Sequence, residues 1–117
     1  MISGTKAAID KAPDVAKAKG IKRAMALNVS APFHSPMMAP AADKMRDALG
    51  AITIRPLAAP VVSNVTATET SEPETIRRLL VEQVTGRVRW RESVLAFKGY
   101  GVTTTVAFAL LMVSVIG

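Results

Sequence analysis

The chain has 117 residues, 50% of them hydrophobic and 21% charged, enough for one ordinary domain and too few for a second sizeable core. With no cysteine and a single histidine, it excludes a disulfide framework, a thiol nucleophile and any Cys- or His-rich metal site. A formal charge of +6 favours acidic or phosphorylated partners without identifying one.

Ala8, Ile9, Ala12, Val15 and Ala16 recur at helical spacing between Thr5 and Lys19, with Gly20 as a stop. Pro13 falls inside that pattern, so a break near Ala12 or a restart at Pro13 is expected. Met25, Leu27 and Val29 alternate and predict a half-buried strand over 23–29. It leads into Ser30-Ala31-Pro32-Phe33-His34-Ser35-Pro36, where two prolines predict a stiff, extended loop that presents His34. Met37, Met38, Ala41, Ala42, Met45, Ala48 and Leu49 form one face of a second helix, with Pro40 in its first turn and Gly50 at its end; the methionines read as core filling.

Ile52 and Ile54 suggest a short strand, and residues 60–65 a more buried one. Ser71-Glu72-Pro73-Glu74 reads as a capping box for a helix that buries Ile76, Leu79, Leu80 and Val84 and stops at Gly86. Val88 and Trp90 share a face between Arg87, Arg89 and Arg91. A short helix through Val94, Leu95 and Phe97 ends at Gly99, and 102–108 reads as a strand. Alternating helices and strands predict an α/β architecture.

No apolar leader precedes the first helix, so no secretory signal is expected. From Gly99 to Gly117 the chain is uncharged, but its threonines and modest apolar length disfavour a membrane span. His34 is the side chain suited to take and return a proton near neutral pH. It needs a nucleophile, and no serine stands in a G-x-S-x-G elbow. Ser35 is rejected as its partner because neighbouring side chains in an extended loop point apart. Gly99-Tyr100-Gly101 lacks the remainder of a phosphate loop. Arg77-Arg78 and the Arg87, Arg89, Arg91 run lack the aromatic residues of a stacking platform, so nucleic acid is not an expected partner and a solvated face is the plain reading.

Four separated segments, in order and register, resemble the malonyl-CoA:acyl carrier protein transacylase family. They are residues 29–42 around Phe33-His34-Ser35-Pro36-Met37-Met38, residues 60–67 (Pro60-Val61-Val62-Ser63-Asn64-Val65-Thr66-Ala67), Ile76-Arg77 with Leu80-Val81-Glu82-Gln83, and Val88-Arg89-Trp90 with Ser93-Val94. The opening Ile2-Ser3-Gly4-Thr5-Lys6 resembles an interior strand and turn of the family, and the likeness runs to about residue 106. It implies the C-terminal part of an α/β hydrolase-like acyltransferase domain with part of a ferredoxin-like small subdomain. On that division, residues 1–29 form the C-terminal half of the small subdomain and 30–117 the C-terminal part of the acyltransferase subdomain, with a tail at 107–117 that departs from the family.

The resemblance implies malonyl transfer from coenzyme A to the phosphopantetheine thiol of acyl carrier protein, in fatty acid biosynthesis in the cytoplasm. In the family a serine of G-H-S-x-G attacks the thioester and the resulting ester is resolved by the second thiol. The motif histidine corresponds to His34, general base and later acid, and the glutamine whose backbone carbonyl orients it corresponds to Gln83. Asn64 matches a family asparagine near the site, where a supporting hydrogen bond and a plain strand-end turn are both compatible readings. Phe33 resembles the malonyl-selecting position of related polyketide acyltransferases. No metal and no cofactor beyond the coenzyme A thioester substrate are implied.

The family's nucleophile, glutamine loop and carboxylate-binding arginine have no counterpart in these 117 residues. A truncated or frame-shifted reading is the economical expectation, inactive alone and prone to self-association or aggregation through an uncovered core. The alternatives are a non-catalytic basic module that binds acyl carrier protein through Arg87 and Arg89, and a tail-anchored membrane protein.

Overall fold

The computed structural model describes residues 2–104. Helix α1 covers Lys6–Ala18 and opens on Thr5, whose hydroxyl accepts from the Ala8 N–H at 3.4 Å. It runs unbroken through Pro13, contrary to the expected interruption. Pro13 lies on the exposed side of a helix that buries none of its residues, so water can take the carbonyl bond that the missing N–H would have filled.

The strand expected over 23–29 does not form. A strand is stable only beside another that takes its N–H and C=O groups, and among the described residues none lies alongside. Met25, Leu27 and Val29 consequently stay 66%, 62% and 47% exposed.

After a 3-10 turn at Pro36–Met38, helix α2 spans Ala39–Gly50 with Pro40 in its first turn, as expected, and continues through Gly50 to a cap at Ala51. Its buried residue is Ala42; Met37 and Met45 remain exposed instead of filling core. The residues around Ile52 and Ile54 form no strand. The sheet is a single antiparallel pair, β1 (Val61–Val62) with β2 (Glu69–Thr70), in register Val61 to Thr70 and Val62 to Glu69. The strand expected over 60–65, and expected to be buried, turns at Ser63 and leaves Val61 exposed. There the Ser63 N–H donates to Thr68 O at 3.1 Å, the Ala67 N–H to Ser63 O at 2.7 Å and the Val65 N–H to Ser63 Oγ at 3.2 Å.

Helix α3, Pro73–Thr85, is capped by Glu72 and not by Ser71. The Glu72 carboxylate accepts from the Glu74 N–H at 3.0 Å and from the Thr75 N–H, because Pro73 is the first helical residue and places Glu72 at the cap. Leu79 and Val81 are the buried residues of α3 and Leu80 is exposed. Positions two apart lie about 200° apart around a helix, so α3 buries two faces rather than the single stripe read from its sequence. Helices α2 and α3 pack together, with the 3-10 turn touching both.

Helix α4, Trp90–Gly99, begins earlier than expected. Trp90 is its first residue and 62% exposed, so the Val88–Trp90 face is not a strand face. The strand expected over 102–108 has no strand geometry at residues 102–104, and its remainder lies outside the described residues.

Candidate functional site

His34 sits in the loop between the unpaired segment 23–29 and α2. Its φ is 57°, the left-handed region that side chains with a Cβ rarely adopt. The loop is therefore not extended at this residue. Two local features fold it back: the Ser35 hydroxyl donates to Pro32 O at 2.6 Å and the Phe33 N–H donates to Ala31 O at 2.9 Å. Ser35 itself is extended, φ −134° and ψ 162°, as a residue before proline prefers. Its hydroxyl is buried and committed to Pro32, so it is not a nucleophile for the adjacent imidazole.

The backward turn carries the imidazole to the end of α3, where His34 Nδ1 lies 2.9 Å from Gln83 O. The last four carbonyls of a helix have no partner within it, and that of Gln83 is one of them. Glu82 O, the preceding carbonyl, accepts from the Gly86 N–H at 2.8 Å. A carbonyl can only accept, so Nδ1 carries the hydrogen and Nε2 of the neutral ring keeps its lone pair. Thus a main-chain group fixes the tautomer a general base requires.

Gly86 is needed where it stands. A Cβ there would meet Glu82 O at 2.8 Å and a Val65 methyl at 3.8 Å. Beyond it the chain is tied to the turn after β1: the Arg89 N–H donates to Asn64 O at 3.0 Å, and an Arg89 Nη donates to Thr66 O at 2.9 Å. Buried Ser93 directs its hydroxyl between Arg89 O, at 2.9 Å, and Asn64 Oδ1, at 3.2 Å. Asn64 thus joins the strand-end turn to the start of α4 and makes no hydrogen bond with His34. Arg89 is a structural clamp, not a free surface cation.

Ile2, Ser3, His34, Arg87 and Val88 line a cavity of about 440 Å³. Phe33 is half-buried beside His34 but is not among these lining residues. Spacing gives no sign of Ser3 and reads Arg87 and Arg89 alike, as a solvated face or an acyl carrier protein contact, whereas the turn at Gly86 sends Arg87 to the histidine cavity and Arg89 to the Thr66 carbonyl. Among the described residues no group of three His, Cys, Asp or Glu side chains could hold a metal ion, and no helix is long and apolar enough to cross a membrane.

No family model matches the chain. It is similar to the malonyl CoA-acyl carrier protein transacylase of Bacillus subtilis, 43% identical over 89% of this chain and 33% of that protein. The enzyme of the same name from Escherichia coli is 40% identical over 87% of this chain and 33% of its own length. The fold is similar to that of an acyl-carrier-protein S-malonyltransferase from Burkholderia pseudomallei, at a TM-score of 0.80 and 46% identity over 86% of this chain and 33% of that one. A malonyl-transacylase in complex with a type II polyketide synthase acyl-carrier protein matches with a TM-score of 0.80 at 42% identity. The chain thus spans about a third of the length of the curated relatives it matches, and its fold is that of the corresponding part of α/β acyltransferases.

Proposed function

We propose that this chain, similar in sequence and fold to one third of the malonyl CoA-acyl carrier protein transacylases, supplies the general base of that reaction. The observation that carries the reading is the His34 Nδ1 to Gln83 O hydrogen bond of 2.9 Å. It leaves Nε2 as the nitrogen able to take a proton, on a residue that lines a cavity.

On this reading His34 Nε2 removes the proton of a serine hydroxyl as the oxygen attacks the malonyl thioester. It then returns that proton to the departing coenzyme A thiolate, leaving a malonyl ester. The acyl carrier protein thiol next gives its proton to Nε2 and attacks the ester, and the proton passes back to the serine oxygen. Gln83 acts through its carbonyl as the orienting group, where other triads use a carboxylate. The coenzyme A thioester is substrate, and the steps need neither metal nor further cofactor. The serine is not in these 117 residues within any G-x-S-x-G motif, so the chain alone carries the base without its nucleophile. The finer architecture belongs to the same reading: residues 1–29 as half of a ferredoxin-like small subdomain, 30–117 as part of the hydrolase-like subdomain, and a cytoplasmic setting.

Grafting tests it directly. This chain replaces the matching third of the Escherichia coli transacylase, and malonyl transfer from coenzyme A to carrier protein is measured. The chimera should transfer, and His34→Ala should lower kcat by about 10²–10⁴. The chain alone, incubated with labelled malonyl-CoA, should acquire no covalent label. A folded, active chimera indifferent to His34→Ala would overturn the reading.

A further inference from the structure

We propose that Arg87 binds a phosphate of the pantetheine arm that carries the acyl group into the His34 cavity. The inference rests on the acyltransfer reading of that cavity and adds a residue to it.

Three observations lead to Arg87. It lines the same cavity as His34, with Ile2, Ser3 and Val88. Among the described residues it forms no ion pair, whereas Arg46, Arg77, Arg78 and Arg89 each have a carboxylate within 4 Å. Its main chain is held on both sides, by Gln83 O against His34 and by Arg89 against Asn64 and Thr66, so its position relative to the imidazole is fixed by the fold. Glu92 lies close enough for Arg87 to help hold its carboxyl below the usual carboxylate range, after its own backbone N–H and the charge of Arg89. That carboxylate is paired with Arg89, at 3.7 Å, and Arg87 keeps its donors.

The chemistry selects phosphate. Arg87 is exposed and lines the cavity, so a ligand's charged outer end can reach it from solvent. A guanidinium presents a planar fork suited to a phosphate oxygen pair and keeps its charge at every working pH. A pantetheine arm is neutral along its length and anionic at its outer end. When the thioester lies at the imidazole, the phosphate therefore lies outward, toward solvent. That phosphate has two sources, coenzyme A and the phosphodiester joining pantetheine to its carrier protein, and the same arginine can meet each in turn.

Isothermal titration of the full chain with coenzyme A, 4′-phosphopantetheine and pantetheine separates the outcomes. The phosphorylated ligands should bind more tightly than pantetheine. Arg87→Ala should weaken them about tenfold and leave pantetheine unchanged, with Arg87→Lys intermediate. Arg91→Ala, exposed on α4, should change nothing. A full effect on 4′-phosphopantetheine assigns the phosphate shared by coenzyme A and carrier; an effect confined to coenzyme A places the contact on its other phosphates and overturns the proposal. Equal loss for pantetheine, or none for any phosphorylated ligand, overturns the proposal while the chimera result for His34 stands. Binding of no ligand at all overturns it, and a simultaneous failure of the chimera removes the underlying reading as well. Circular dichroism of Arg87→Ala guards against a folding defect in that variant.

Discussion

His34 occupies a backbone conformation that costs an ordinary residue about 1–2 kcal/mol, at φ 57°. A glycine there would escape that cost, although its greater freedom in the unfolded chain returns about 0.4–1 kcal/mol. His34→Gly should therefore be more stable than His34→Ala by about 0.5–1 kcal/mol, read from urea midpoints; both lack the imidazole, so the comparison isolates the backbone. Equal midpoints would show that the turn relaxes once the ring is gone. His34 was legible as a candidate base from its type and its proline-flanked loop; its partner Gln83 was legible only through the family resemblance. Local reasoning found the prolines and the constrained loop but not the reversal at His34, which depends on where the Ser35 hydroxyl goes. Arg87 was legible as a basic, carrier-binding candidate but not as a neighbour of His34, because alternation places side chains on faces and cannot tell a cavity wall from solvent.

At the scale of elements, the cap and the end of α3 carry separate predictions. The Glu72 carboxyl is held below its ordinary value near 4.5 by the Glu74 N–H, then by Thr75. A lowered carboxylate contributes stability that is fully present above its unfolded pKa and lost as pH falls through the lower folded one. Glu72→Ala should therefore lower Tm at pH 7, and the gap should close as the pH is taken well below 4.5. A gap that persists at pH 2 would show that the charge is not what caps the helix. At the other end, Gly86→Ala forces a Cβ against Glu82 O and should cost about 1–3 kcal/mol. The neighbouring Gln83 carbonyl shifts with it, so the NMR signal of the His34 Nδ1 proton should move or broaden. Helices α2, α3 and α4 were readable because periodicity, proline position and stop signals are local. Of the expected strands, only that at 60–65 forms, and only over Val61–Val62: β pairing depends on distant partners, and a run such as Met25 to Val29 has the right pattern with nothing beside it.

At the largest scale the described residues form an open structure. Its accessible surface is 9405 Å², against roughly 6,100 Å² for a folded monomer of this mass. Its radius of gyration is 16.7 Å, against roughly 13 Å for a compact domain of this length. Ile21, Met25, Leu27, Val29, Trp90 and Leu95 are each about half exposed or more, beyond what scattered surface apolar residues account for. The purified chain should enhance the fluorescence of a hydrophobic dye and sediment as concentration-dependent oligomers. A monodisperse, dye-silent monomer would show that these residues are covered in solution. The composition that allows one domain does not by itself close one, because hydrophobic content measures how much surface could be buried, not whether the surfaces that would bury it are present.

The bond between His34 and the end of α3 has one further consequence. An amide carbonyl has no net charge for added salt to screen and no proton to gain in moderate acid. A histidine steered by aspartate loses its guide when the carboxylate titrates or counter-ions crowd it. Here the imidazole keeps its bearing across conditions that would loosen such a pair, so long as the last turn of the helix stays wound. What threatens the alignment is mechanical rather than electrical: fraying at Thr85 and Gly86 would misdirect the ring well before ionic strength did.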